Sequence, residues 1–185
     1  HQQLIVENVD EAPVPSLLRE LSAPVKLDYA YTKDQLIHLM ANDSDGFNRW
    51  DAGQKLSFEL LVKLTADSHQ QRPLEMDNQL IDAYKSLLTD ASLDPAMVAL
   101  MLQLPSEAQL HEEAAVIHAD AIHSARLFVR QALADALNED FLAVYQRHNI
   151  EQVYAPDASQ IGRRSLKNTA LSYLMLVDPV GVDLA

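Results

Sequence analysis

The sequence predicts a mainly α fold: an irregular α-solenoid or HEAT-like helical bundle with a short β remnant at its N-terminus. Three observations carry this. Glycine is scarce, at 4 residues of 185, and aromatics make up 6%, while alanine and leucine abound, a balance that favours helix over sheet. From Thr32 onward apolar residues recur at helical spacing. The periodic stretches are separated by short turns and arrive in pairs, with no strict repeat at a TPR or ankyrin period.

The first 30 residues read differently. Leu4, Ile5, Val6 and Val9 form a β-rich run, which Pro13 and Pro15 end because proline lacks an amide hydrogen and restricts the residue before it. Val25, Leu27, Tyr29 and Tyr31 alternate on one face, which predicts a second extended piece. Residues 1–30 are therefore read as the terminal strand and linker of a preceding β domain, and residues 31–185 as the first part of a helical domain. The opening at His1 and the close at "DPVGVDLA" read as an excised segment of a longer polypeptide.

Thr32 is placed to cap a first helix bearing Leu36, Ile37, Leu39 and Met40. The turn "NDSDG" follows, with Ser44 or Asp45 capping a helix from Phe47 to Ser68. Lys55, Glu59, Lys63 and Asp67 recur every fourth residue as a solvated stripe. Phe47, Trp50, Leu60, Leu61 and Leu64 take the opposite side, an arc broad enough for more than one neighbour. Residues 77–90 place Leu80, Ile81, Tyr84, Leu87 and Leu88 on an amphipathic helix. Asp94 and Pro95 open another, stopped by Pro105. "SEAQLHEEA" is a short helix, and residues 119–148 a long one that Asn138 divides. The last runs from Asp157 to Val177 and buries Leu166, Ala170, Tyr173, Leu174 and Val177. None is long and apolar enough to serve as a central core helix.

The net charge of −13 repels phosphate backbones and anionic headgroups, so nucleic acid and membranes are poor partners. The chain has no cysteine, which excludes disulfides and thiolate chemistry and fits a reducing, cytoplasmic setting. No apolar run reaches the ~18 residues of a membrane span.

The most tempting chemistry lies in "HEEAAVIHADAIH". Zinc peptidases use His-Glu-x-x-His, whose two histidines share one helix face. Here His111 and Glu112 are present, but position 115 is Ala and the next histidine is His118. On one helix those two would stand ~10 Å apart, too far for a shared metal. His111, His118 and His123 are thus read as solvated helix-end residues. Asp120, His123 and Ser124 supply triad residue types without the required spatial triad. Arg163, Arg164 and Lys167 are read as flanking a buried stripe and pairing with carboxylates rather than docking an acidic partner. Gly162 stands outside any glycine-rich phosphate loop, and Met40, Met97, Met101 and Met175 are read as core. No catalytic, cofactor-binding or metal-ligating residue is assigned.

Two blocks carry a resemblance. Ser16-Leu17-Leu18-Arg19 with Ser22-Ala23-Pro24-Val25, followed by Phe47-Asn48-Arg49-Trp50-Asp51-Ala52, is similar to the bacterial aminopeptidase N family of alanyl-type zinc metallopeptidases. Leu21 stands where that family more often has Phe, leaving an apolar anchor. The similarity continues through "LDPAMVALMLQLPSE", "AIHSARLFVRQALADAL" and "GRRSLKNTALSYL", and so covers essentially the whole chain. It implies a segment joining the end of a β-sandwich domain to a helical domain that closes over a catalytic domain and walls a chamber for small peptides.

The family's zinc site and its Gly-Ala-Met-Glu-Asn strand match no position here, so the implied zinc belongs to a parent enzyme that releases N-terminal residues from peptides. The implied partners are the rest of that polypeptide and its peptide substrates, and exposed apolar arcs would promote self-association of this segment. The alternative is a stand-alone acidic α-solenoid that binds a basic protein. Within "FNRWDAGQKL", Trp50 is expected to be the buried anchor, with Trp50→Ala costing ~3–5 kcal/mol, and Arg49 to reach either the linker or a neighbour.

Overall fold

The helices begin where the chain can cap itself. The computed structural model describes residues 5, 7–10, 12–25, 27–114 and 116–177. Within them lie α1 (Lys33–Asn42), α2 (Gly46–His69), α3 (Asn78–Thr89), α4 (Pro95–Met101), α5 (Glu107–Glu113), α6 (Ala119–Ala136), α7 (Asn138–His148) and α8 (Ala158–Leu174). Six of the eight start on a side-chain cap. The Thr32 and Ser106 hydroxyls accept the backbone N–H of Gln35 and Gln109, whose own side chains accept the cap N–H in return, forming two capping boxes. Asp45, Asp77, Asp94 and Asp157 accept from Asn48, Gln79, Met97 and Gln160, each satisfying an N–H that the helix leaves open.

The exceptions are α6 and α7, which start at His118 and Leu137 without a side-chain cap. The long stretch does divide at Asn138, but no loop separates its halves: Leu137 both ends α6 and precedes α7. Leu137 is fully buried, so apolar packing rather than a polar cap fixes that corner.

α2 ends in a Schellman motif. Gln71 takes φ 55°, and the N–H groups of Arg72 and Gln71 donate to Asp67 O and Ser68 O at 2.8 and 3.0 Å. The reversal brings Arg72 onto the Asp67 carboxylate, Nε to Oδ1 at 2.8 Å. Asp67, expected on the solvated stripe, is therefore buried, at 8% exposure.

α2, at 24 residues, touches α1, α4, α5 and α6. It does so with small and apolar residues together: Ala52, Gly53 and Ser57 are buried beside Leu56, Leu61 and Leu64. Ser57 Oγ meets Tyr84 Oη at 3.0 Å, which satisfies the hydroxyl that Tyr84 carries into the core. Burial pushes the Tyr84 phenol up to about 12. α1 packs on α2 and α7 on α8, the consecutive pairing expected of a solenoid-like bundle, while α3 reaches α1 and α7, and α4 lies on α8.

The α4–α8 contact needs Gly162. A Cβ there would lie 3.1 Å from Ala96 N and 3.3 Å from Ala96 Cβ, so the two backbones meet where only hydrogen fits comfortably. Gly162→Val is expected to push α4 away and destabilise by about 1–3 kcal/mol; urea denaturation followed by circular dichroism reads this directly.

Among the described residues of the N-terminal segment none lies in a strand. Leu4, Val6 and residues 178–185 lie outside the described residues. Val25, Leu27 and Tyr29 are exposed, because an extended segment becomes a strand only when another backbone takes its hydrogen bonds. α8 stops short of Val177, leaving Met175, expected in the core, 54% exposed, whereas Met40 and Met101 are buried.

Candidate functional site

The two blocks that stand apart in sequence, Ser16–Arg19 and Phe47–Ala52, meet in space. Arg19 Nη1 donates to Asp43 Oδ1 at 2.9 Å and Nη2 to Ser44 Oγ at 2.7 Å. Asn48 Nδ2, in the first turn of α2, donates to Ser16 Oγ and Leu17 O at 2.9 and 3.0 Å. Tyr31 Oη closes the far side on Pro15 O at 2.9 Å. The linker is thus clamped onto the α1–α2 turn by polar contacts, while Leu21 contributes nothing as an apolar anchor, being 66% exposed.

Asp45 joins both parts of the clamp. One oxygen caps α2 through Asn48 N–H and the other accepts Glu20 N–H, both at 2.9 Å. The Asn48 amide, followed by the Glu20 amide and the Arg19 charge, holds its carboxyl below the usual range despite burial. Because the folded value is depressed, the stabilisation is present above the ordinary carboxylate range and is lost as pH falls through the folded value.

Within the triplet the expected roles are exchanged. Arg49 is the buried member, at 8% exposure. Its Nε donates to Met40 O at 3.1 Å and its Nη2 to Ala41 O at 2.9 Å, so the guanidinium caps the carbonyl end of α1. Trp50 is only half-buried and rests against Phe47, ring centroids 5.6 Å apart. Asp51 pairs with Lys55 at 2.6 Å. Sequence reasoning missed Arg49 because hydropathy assigns arginine to solvent; the signal was the last-turn carbonyls of α1, eight and nine residues upstream.

The residues considered for chemistry do not assemble. α5 ends at Glu113, so His111 and His118 share no helix. His118 stacks flat on His69, centroids 3.6 Å apart, which presents ring faces rather than the in-plane lone pairs a shared metal needs. His123 Nδ1 instead meets Glu107 Oε1 at 2.9 Å, away from Asp120 and Ser124, which line a shallow hollow with His69 and His118. Among the described residues no three His, Asp or Glu side chains converge as metal ligands. The zinc implied by the resemblance therefore finds no fitting donor set in them.

Two of the three basic residues meet neutral partners. Arg164 donates to Gln160 Oε1 at 3.1 Å and lies over the Tyr154 ring at 5.0 Å, and Lys167 reaches Asn149 Oδ1 at 3.5 Å. The ion pairs among the described residues include none of the three.

Two open hollows share the 103–106 segment. One, of about 400 Å³, is apolar, lined by Phe47, Trp50, Met97 and Leu100. The other, of about 540 Å³, has a mixed lining and lies between α6 and α8, with Arg126 and Arg130 on one wall. The sequence carries these arginines one turn apart on α6, a spacing that marks a shared face.

Comparison with known proteins places the chain. The family model described as a domain of unknown function (DUF3458_C), ARM repeats, matches residues 33–185. Aminopeptidase N of Escherichia coli (strain K12) is 37% identical over 174 residues, which is 94% of this chain and 20% of that protein. Aminopeptidase N of Haemophilus influenzae is 35% identical over 88% of this chain and 18% of its own length. Aminopeptidase N of Caulobacter vibrioides is 33% identical over 97% and 20%. The crystal structure of Legionella pneumophila aminopeptidase A in complex with aspartic acid superposes with a TM-score of 0.77 at 34% identity, covering 94% of this chain and 21% of that one. The chain spans about a fifth of the length of the curated relatives it matches. It belongs to the DUF3458_C ARM-repeat family and is similar, over nearly its whole length, to a segment of aminopeptidase N.

Proposed function

We propose that this chain is a non-catalytic, architectural segment of a zinc-dependent aminopeptidase that releases N-terminal amino acids from peptides. In this reading residues 1–30 end a β-sandwich domain, and residues 31–185 begin the helical domain that helps wall the active-site chamber. The partners are the catalytic and remaining helical parts of the same polypeptide, and zinc belongs to the catalytic part.

The observation that carries the proposal is the match to aminopeptidase N along 94% of this chain within only 20% of that protein's length. The linker clamp supports it: Arg19, Asn48 and Asp45 use directional hydrogen bonds to fix how an incoming segment meets the first two helices. Such a joint suits a scaffold that must hold one orientation.

The 185-residue chain, purified and supplied with zinc, is expected to leave an alanyl anilide unhydrolysed. Zinc-dependent turnover that co-purifies with the chain and disappears on chelation would overturn the assignment.

A further inference from the structure

Arg126 and Arg130 are anomalous in a chain with 27 acidic and 14 basic residues. They stand at i and i+4 on α6, about 6 Å apart along the axis, where like charges destabilise a helix. Yet neither takes part in an ion pair among the described residues. Glu107, whose carboxyl feels the Arg126 charge, is turned to His123.

Both guanidiniums are half-buried and held in place by neutral groups. Arg126 Nε donates to Pro105 O at 2.9 Å, and Arg130 Nη2 to Ser172 O at 3.3 Å. Arg130 also lies over the Tyr173 ring at 5.7 Å. These contacts use one edge of each fork, and the remaining donors have no other partner among the described residues. Across the hollow, α8 presents Ser165, Asn168, Thr169 and Ser172, spaced along one helix face, and no Asp or Glu lines the space.

We propose that this hollow binds a doubly charged oxyanion of the phosphate type, with Arg126 and Arg130 as its charge partners and the Ser165 and Thr169 hydroxyls with the Asn168 amide as its orienting donors; the Ser172 hydroxyl is already donated to Thr169 O at 2.7 Å. The chemistry is fork-shaped guanidinium recognition of a multi-oxygen anion, which also relieves the repulsion between the two arginines. At about 540 Å³ the hollow falls in the size range of small-molecule sites. It adjoins the apolar groove through Gln103, Leu104 and Ser106, so an organic phosphate monoester and inorganic phosphate are both sterically admissible. The site does not depend on the peptidase reading.

The test uses the 185-residue chain in a non-phosphate buffer, with ionic strength held constant by sodium chloride. Inorganic phosphate is expected to raise the thermal midpoint saturably, and isothermal titration to give one site per chain. Arg126→Gln and Arg130→Gln should each weaken phosphate about tenfold. Thr169→Glu, which supplies a resident carboxylate, should abolish binding while leaving helix content by circular dichroism unchanged. Phenyl phosphate binding more tightly than inorganic phosphate identifies a monoester that uses the adjoining groove; equal affinity identifies the free anion, and either upholds the site. A phosphate effect no larger than that of matched chloride overturns it, as does wild-type affinity in folded Arg126→Gln/Arg130→Gln protein.

Discussion

Tyr173→Ala is expected to cost about 3–5 kcal/mol, a large share of the roughly 5–15 kcal/mol that holds a typical domain folded. Tyr173 stacks on Phe141 with centroids 4.5 Å apart and planes within 7°, joining α8 to α7. Its hydroxyl donates to Leu102 O at 2.7 Å, tying in the end of α4 across 71 residues of sequence. Removing the ring therefore opens a cavity where three helices meet and strands a buried carbonyl. Burial pushes the phenol far up, so it stays protonated and remains a donor at any physiological pH. Tyr173→Phe keeps the stack and loses only the hydrogen bond, at about 1 kcal/mol. Urea midpoints for the two variants separate packing from hydrogen bonding; equal losses would place the weight on the hydroxyl instead.

Arg49→Ala is expected to cost about 3 kcal/mol, more than Trp50→Ala at about 1–2 kcal/mol for a half-buried ring. The alanine leaves Met40 O and Ala41 O without their donors at the end of α1 and empties a buried volume. Arg49→Lys keeps the charge but cannot reproduce two parallel donors, so it is expected to recover only part of the loss. The ranking is read by thermal denaturation of the three variants. Trp50→Ala as the most damaging would restore tryptophan as the anchor.

That reversal indicates what the sequence could and could not convey. The starts of α1, α2 and α4 were legible because the caps at Thr32, at Ser44 or Asp45 and at Asp94 act locally, through a side chain reaching two or three residues along. The core faces of α1, α3 and α8 were legible for the same reason, since periodicity is a local property. What escaped was set by tertiary encounter. Asp67 is buried because Arg72 folds back onto it, and Arg49 because the end of α1 lies above it. The arginine hollow escaped because its walls, α6 and α8, are about 40 residues apart and only packing faces them together. The histidine run, whose spacing already argued against a shared site, is divided further because the backbone leaves the helix after Glu113 and Ala114 is extended.

The Asp45 carboxylate has one further consequence, a mechanical one. Its two oxygens serve different segments: one starts α2, the other holds the linker at Glu20. Tension drawn along residues 12–21 therefore reaches the first turn of the longest helix through a single carboxylate. Seating of the linker and initiation of that helix thus engage and disengage as one event, and the joint behaves as a latch rather than as a flexible tether.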